Sequence, residues 1–249
     1  MTRLAGKTAI ITGAASGFGE GMAKRFAEEG ANVVVADLNL KGAQKVAAAI
    51  GAKAIAVHAD VTRKDEVESM VQAAADQFGR IDIMVNNAGF TYRNGSMLDV
   101  DESTFDLITG VNMKSIYYAA LAVVPIMEAQ GGGTIITTAS TAGLRPRPGL
   151  TWYNASKGWA ISATKSMAIE LAPKKIRVNC LCPVAGETPM LGLFMGEDTS
   201  EKRAQFKATV PLGRLSTPLD VANAALWLAS DEAEFITGVA LEVDGGRCI

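Results

Sequence analysis

Apolar residues along this chain fall into short continuous runs, separated by longer stretches with helical periodicity. The runs at 8–12, 32–36, 54–59, 81–86, 134–139, 177–182 and 239–243 have the length and composition of buried strands. Between them, 17–29, 41–50, 64–78, 102–129, 153–172 and 218–229 repeat apolar positions at the spacing of amphipathic helices. This alternation predicts an α/β fold: a parallel sheet with helices on both faces and right-handed crossovers. Only 189–211 breaks the rhythm. It carries Met190, Leu191, Leu193, Phe194 and Met195, then a charged stretch, and reads as a lid over an apolar pocket. No linker, repeat or low-complexity tract divides 1–249, which predicts a single domain.

The predicted strand ends carry the chemistry. Thr12-Gly13-Ala14-Ala15-Ser16-Gly17-Phe18-Gly19 joins the first strand to its helix. Glycines let backbone approach a pyrophosphate, and a helix N-terminus offers free N–H groups and a positive dipole end. The spacing is G-x-x-x-G-x-G, not the commoner G-x-G-x-x-G. Asp37 closes the second strand, roughly 20 residues beyond that turn, where an acid meets the ribose hydroxyls of an adenosine. The same carboxylate repels a 2′-phosphate, by about 4 kcal/mol per charge pair at ~4 Å and an effective dielectric near ~20. Leu38 and Asn39 supply no compensating cation, so NAD(H) is expected over NADP(H). Tyr153 and Lys157 stand four apart, on one face of a predicted helix. A cation beside a phenol lowers its pKa from ~10, which makes an acid/base group for a carbonyl or an alcohol. Arg145 and Arg147, between Ser140 and Tyr153, are candidates to grip an acidic substrate or to serve as surface or interface residues.

Thr12-Gly13-x-x-x-Gly17-x-Gly19, Asn86-Asn87-Ala88-Gly89, Ser140 and Tyr153-x-x-x-Lys157 together resemble the short-chain dehydrogenases/reductases, from Lys7 to about Gly246. The resemblance implies one doubly wound, Rossmann-like domain with seven parallel strands in the order 3-2-1-4-5-6-7. It implies cofactor contacts from Gly13, Ser16, Gly17, Phe18 and Gly19 at the turn, and from Asp37 and Leu38 at the adenosine. Asp60 would accept from the adenine amino group and Val61 would add a backbone contact. Asn87, Ala88, Gly89, Pro183 and Thr188 would line the remainder, with Tyr153 and Lys157. Catalysis is expected from Asn112, Ser140, Tyr153 and Lys157. Tyr153 would move the proton, Ser140 would hold the substrate oxygen, and Lys157 would bind the ribose and lower the phenol pKa. Asn112 would kink its helix and hold a water that links Lys157 to solvent. The chain departs from the family at Pro183-Val184-Ala185-Gly186: Val184 replaces the usual Gly, and a Gly stands two places on.

The expected activity is NAD(H)-dependent interconversion of a secondary alcohol and a ketone, with no metal. Reduction of a 3-oxoacyl thioester is an alternative substrate class. A catalytically silent NAD-binding scaffold or redox sensor is an alternative from another class. The small residues Ala155, Ser156, Gly158, Ala160, Ser162 and Ala163 allow close helix approach. By resemblance, a dimer or tetramer forms across that helix and 102–129.

Composition narrows the partners. Hydrophobic residues are 49% and charged residues 20% of 249 residues, as in a compact soluble protein. The formal net charge is −2 and the pI about 5.6, so no basic footprint points to nucleic acid. The apolar run Ile116 to Met127 is short for a bilayer and contains Pro125. Met1 to Gly6 leads straight into the first strand, and a cytoplasmic location is expected. His58 is the sole histidine, and with no G-x-S-x-G elbow a Ser-His-Asp hydrolase is disfavoured. Cys180, Cys182 and Cys248 are expected as free thiols.

Overall fold

Strands covered on both faces read as near-continuous apolar runs, and β1 (Thr8–Thr12) is buried throughout. In the computed structural model, which describes residues 2–249, β1 is an interior strand of one seven-stranded sheet. The other strands are β2 (Asn32–Asp37), β3 (Ala54–His58), β4 (Ile83–Asn86), β5 (Gly133–Thr138), β6 (Ile176–Pro183) and β7 (Ala240–Val243). Their order is β3-β2-β1-β4-β5-β6-β7, and all neighbours run parallel. The order reverses between β1 and β4, and the crevice beyond that point is the natural ligand position in such sheets.

Alternate side chains feed two cores. Ile11, Val33, Val35 and Val85 pack under α1 (Gly17–Glu28) and α9 (Pro218–Ala229), with α2 (Leu40–Ile50) at the flank. Ile10, Val34, Met84 and Ile135 point the other way, against α3 (Lys64–Phe78) and α5 (Ser115–Ala129). The helix starts are set locally. Asn39 caps α2 by accepting from the Gly42 N–H at 3.0 Å, and Thr217 and Asp220 form a reciprocal capping box at α9.

The stretch 102–129 is not one regular helix. It is α4 (Glu102–Thr109), a wide π turn over Gly110–Lys114, and α5. Asn112 sits in that turn, and its side chain is drawn out of the helix. It accepts from the Phe90 N–H at 2.8 Å and donates to the Phe90 carbonyl and to Ser156 Oγ, each at 2.9 Å. By length and hydropathy the run Glu102–Ala129 matches a membrane-spanning helix, but here Ala119, Val123 and Met127 pack into the core of the sheet. After α6 (Thr151–Leu171), the segment read as a lid forms two short helices, α7 (Leu191–Met195) and α8 (Ser200–Ala208).

Candidate active site

The carboxyl ends of the strands open into a cavity of about 610 Å³. At one end, Gly13 and Gly17 have φ of 63° and 58°, a left-handed conformation that suits glycine. A Cβ on Gly13 would stand 2.9 Å from Ala88 Cα, so the turn and the loop after β4 are in direct backbone contact. Ser16 is exposed and its hydroxyl caps nothing. Together with Gly17 and Phe18 it presents the first turn of α1 to the cavity. Gly19 does not reach the cavity, contrary to expectation. A Cβ there would lie 2.2 Å from the Gly13 carbonyl oxygen and 2.6 Å from Asn87 Nδ2. Gly19 shapes the turn from behind.

Asp37 faces the same cavity with both oxygens engaged: one accepts from the Ala15 N–H at 2.9 Å, the other from the Asn39 N–H at 2.8 Å. Among the described residues no cation pairs with it, and Leu38 is exposed at the rim. Asp60 accepts from the backbone and hydroxyl of Thr62 at 2.9 and 2.7 Å, and with Val61 it forms the adjoining wall. Ala88 and Gly89 line the middle. Asn87 touches the cavity, but its side chain is a brace. It donates to the carbonyls of Thr12 and Gly13 at 2.9 and 3.2 Å and accepts from Thr138 Oγ1 at 3.2 Å.

Pro183, Val184 and Thr188 close the far wall. The departure at Val184 has a physical reading. Among the described residues only Lys175 combines a side chain with positive φ, so Val184 needs no glycine-like backbone. Its N–H donates to the Val243 carbonyl at 3.2 Å, and the chain continues in line with β7. The tight contact has moved to Gly186, where a Cβ would fall 2.4 Å from the Phe18 ring.

Ser140, Tyr153 and Lys157 converge on the inner surface of this cavity. Tyr153 lies in the first turn of α6, with its ring 5.3 Å from that of Phe194. Lys157 follows one turn later. Its ammonium donates to the Thr138 carbonyl at 2.8 Å and stands 5.7 Å from the Tyr153 ring centre. Burial pushes the Tyr153 phenol up to about 12, although a Ser140 hydrogen bond and the charge of Arg147 pull it down. Burial likewise presses Lys157 down to about 8. The expected lowering of the phenol by Lys157 is therefore not what this arrangement produces. Desolvation dominates, and the Lys157 ammonium, committed to a carbonyl, is not among the groups that lower the phenol. The phenol is neutral at neutral pH and poised to donate a proton. Asn112 is buried behind this group and does not line the cavity. Its bonds to Phe90 and Ser156 make it a positioning residue, not one that touches a ligand.

The opposite end is covered by the 189–211 segment. Met190, Phe194 and Phe206 face the cavity, whereas Leu191 and Met195 turn inward onto Leu215. Leu193 is 39% exposed and lies off the cavity, which corrects its place in the expected lid surface. Arg145 and Arg147 both reach the cavity. Arg247 and Phe206 join them and were not foreseen. Phe206 is a lone aromatic in a charged helix, and Arg247 follows a Gly-Gly turn after β7, where strand-end position was the available signal.

A family model described as enoyl-(acyl carrier protein) reductase matches residues 13–247. The chain belongs to the short-chain dehydrogenase/reductase family. It is an oxidoreductase of that family. A 4-formylbenzenesulfonate dehydrogenase of Comamonas testosteroni is 48% identical over 98% of each chain. A 3-oxoacyl-[acyl-carrier-protein] reductase of Thermotoga maritima is 39% identical, covering 99% of this chain and 100% of its own. Among solved structures, a 3-ketoacyl-(acyl-carrier-protein) reductase from Brucella melitensis, complexed with NADH, superposes with a TM-score of 0.94. It is 50% identical and covers 99% of this chain and 100% of its own. This short-chain dehydrogenase/reductase thus matches these relatives over nearly the whole of the chain.

Proposed function

We propose that this protein is an NAD(H)-dependent dehydrogenase/reductase that interconverts a secondary alcohol and a ketone. The observation that carries the reading is the convergence of Tyr153, Ser140 and Lys157 on a cavity whose other end presents the unpaired carboxylate of Asp37. The glycine turn fits a dinucleotide: backbone approaches where no Cβ has room, and a free helix N-terminus faces the cavity. Ser16, Gly17 and Phe18 would hold the pyrophosphate, Asp37 the adenosine ribose, and Asp60 and Val61 the adenine. Gly89, Lys157, Pro183 and Thr188 would hold the other half. When bound, NAD(H) supplies or accepts the hydride.

The chain's own residues govern the proton and the oxygen. Ser140 donates a hydrogen bond to the substrate oxygen and steadies developing negative charge. Tyr153 as the neutral phenol gives its proton to that oxygen in reduction, and as the phenolate takes the hydroxyl proton in oxidation. Asn112 fixes the backbone of Phe90 and Ser156 of α6, and so keeps the site in register. The 189–211 segment acts as the lid that excludes water. Exposed Tyr117 and Leu121 of α5 and Ile169 of α6 suit association with a second copy across α5 and α6.

Reduction of a 3-oxoacyl thioester is a second reading, favoured by the name of the Thermotoga relative. A panel of secondary alcohols and ketones with NAD(H), then NADP(H), including acetoacetyl-coenzyme A, tests both. Turnover of a simple alcohol with NAD⁺, abolished by Tyr153→Phe while NADH still binds, is the expected result. No turnover of any alcohol or ketone by a protein that binds NADH would support the silent-scaffold alternative.

A further inference from the structure

Three arginines face the lid end of the cavity: Arg145, Arg147 and Arg247. Among the described residues none of them forms an ion pair with a carboxylate side chain. Arg145 is occupied. Its guanidinium donates to the Arg247 carbonyl at 2.8 Å and to the Ile249 oxygen at 3.4 Å, which fastens the final residues to the cavity rim. Arg147 is different. It is half-buried, and among the described residues its guanidinium makes no hydrogen bond. It lies 4.5 Å from the centre of the Phe206 ring of α8. Its backbone is anchored at the same time, because its carbonyl accepts from Asn154 Nδ2 at 2.7 Å, and Asn154 is the neighbour of Tyr153.

A stacked guanidinium keeps its edge N–H groups free, and those edges match an oxyanion in a two-point contact. A desolvated cation without a counter-ion is unfavourable, and here the cost is compounded. Burial lowers the Arg147 pKa, and the nearby charge of Arg247 lowers it further. The carboxylates that line the cavity, Asp37 and Asp60, belong to the glycine-turn end. Among the described residues Arg147 and Arg247 therefore leave the lid end with positive charge that no carboxylate side chain pairs with, in a protein whose net charge is −2.

We propose that Arg147, assisted by Arg247, is an oxyanion-recognition subsite, and that the substrates are acidic: secondary alcohols or ketones bearing a carboxylate or sulfonate. This rests on the reading of Tyr153 given above. Arg147 and Tyr153 line one cavity, and the Arg147 backbone is bonded to Asn154 beside Tyr153, so the anionic group and the reacting carbon belong to one compact molecule. Phe194 and Phe206 supply the apolar walls between the two points. The anion also orients the substrate, because with its oxyanion on Arg147 the carbonyl has one way round to meet Tyr153 and Ser140.

The test compares kcat/KM for 4-acetylbenzoate and 4-acetylbenzenesulfonate against neutral 4-acetylbenzamide, and for acetoacetate against acetoacetamide, with NADH. At least one anion should exceed its amide by about tenfold or more in the wild type. Arg147→Met should lower that ratio by about tenfold or more, Arg147→Lys by less, and Arg247→Met by a smaller factor. An unchanged NADH Kd certifies that each variant is folded. A ratio unmoved by Arg147→Met, or a wild-type preference for the amides, overturns the subsite while leaving the alcohol–ketone chemistry standing. Acetoacetyl-coenzyme A is compared with neutral acetoacetyl-N-acetylcysteamine. A loss confined to the coenzyme A ester would place the anion on a carrier and overturn the assignment to the substrate. If no ketone is reduced, calorimetry of benzoate and benzenesulfonate with the enzyme–NADH complex decides. Saturable binding weakened about tenfold in Arg147→Met upholds the subsite and sinks the proposed chemistry. Absence of binding sinks the subsite as well.

Discussion

The two ends of the cavity are built on opposite terms. At the glycine-turn end the polar groups are already satisfied by the protein. Asp37 holds Ala15 and Asn39, Asp60 holds Thr62, and Asn87 ties β1 to the loop after β4. Backbone touches backbone there, and an added Cβ at Gly13 or Gly19 meets fixed atoms at 2.9 or 2.2 Å. At the arginine end, among the described residues, Arg147 and Arg247 pair with no carboxylate side chain, and the walls are Phe194 and Phe206 on short helices outside the sheet, with Met190 just before the first. Shape at the first end is set by the main chain of a buried sheet and cannot drift. At the second it is set by side chains, which can be exchanged without disturbing a strand. A family that keeps its cofactor and varies its substrate is served by that division.

The largest effect should come where the two ends meet. Tyr153→Phe is expected to lower kcat by ~10²–10⁴ with NADH binding within a few-fold of wild type, checked by steady-state kinetics and fluorescence titration. Near-normal turnover would remove the chemistry from this position. Next, Asp37→Ser with Leu38→Arg should move the kcat/KM preference from NAD(H) toward NADP(H), by about 10–100-fold, since it removes one like charge and adds a phosphate partner. A wild-type preference for NADPH would deny the glycine-turn end its role. The division itself is probed by a pair. Gly19→Ala should weaken NADH binding about tenfold or more, because it displaces the Gly13 carbonyl, whereas Phe194→Ala should raise substrate KM several-fold and spare NADH. Equal loss of NADH affinity in both would erase the distinction.

The smallest effect concerns stability. The Lys157 pKa is about 8 in the folded chain, below its unfolded value of ~10.4, so in that window the unfolded state binds the extra proton. Stability should rise from pH 8 to 10, by at most about 1.4 kcal/mol per pH unit, and Lys157→Met should flatten that rise in urea titrations. Above pH 10 the raised pKa of Tyr153 acts the other way, because the folded state then holds the proton longer. A rise in wild-type stability that persists in Lys157→Met would assign it to another group.

The sheet was legible because parallel strands covered on both faces read as unbroken apolar runs. β1 and β2 could hardly have been anything else. Tyr153, Lys157 and Ser140 were legible because spacing on one helix and position at one strand end suffice to place them. What stayed hidden depends on contacts distant in sequence. Phe206 meets Arg147 from a helix that begins at Ser200, and Arg247 arrives from beyond β7. The orientation of Leu193 and Phe194 was hidden for another reason. In a five-residue helix no periodicity can develop, and the face is chosen by where Leu191 and Met195 find Leu215. The Tyr153 pKa escaped because residue spacing records a neighbouring cation but not depth of burial.

The π turn at Gly110–Lys114 has a consequence for how this helix tolerates change. A regular helix advances about 100° per residue, and a turn of this kind holds one residue more than its α-helical counterpart. The surplus residue widens the helix locally, and Asn112 lies in the widened turn with its side chain directed to Phe90 and Ser156. Deleting one residue from 110–114 would let the backbone relax to a regular α-helical turn. Asn112 would then lose its place opposite Phe90, and the loop after β4 its anchor. Point substitutions here act one side chain at a time, but the length of the segment decides whether that anchor exists.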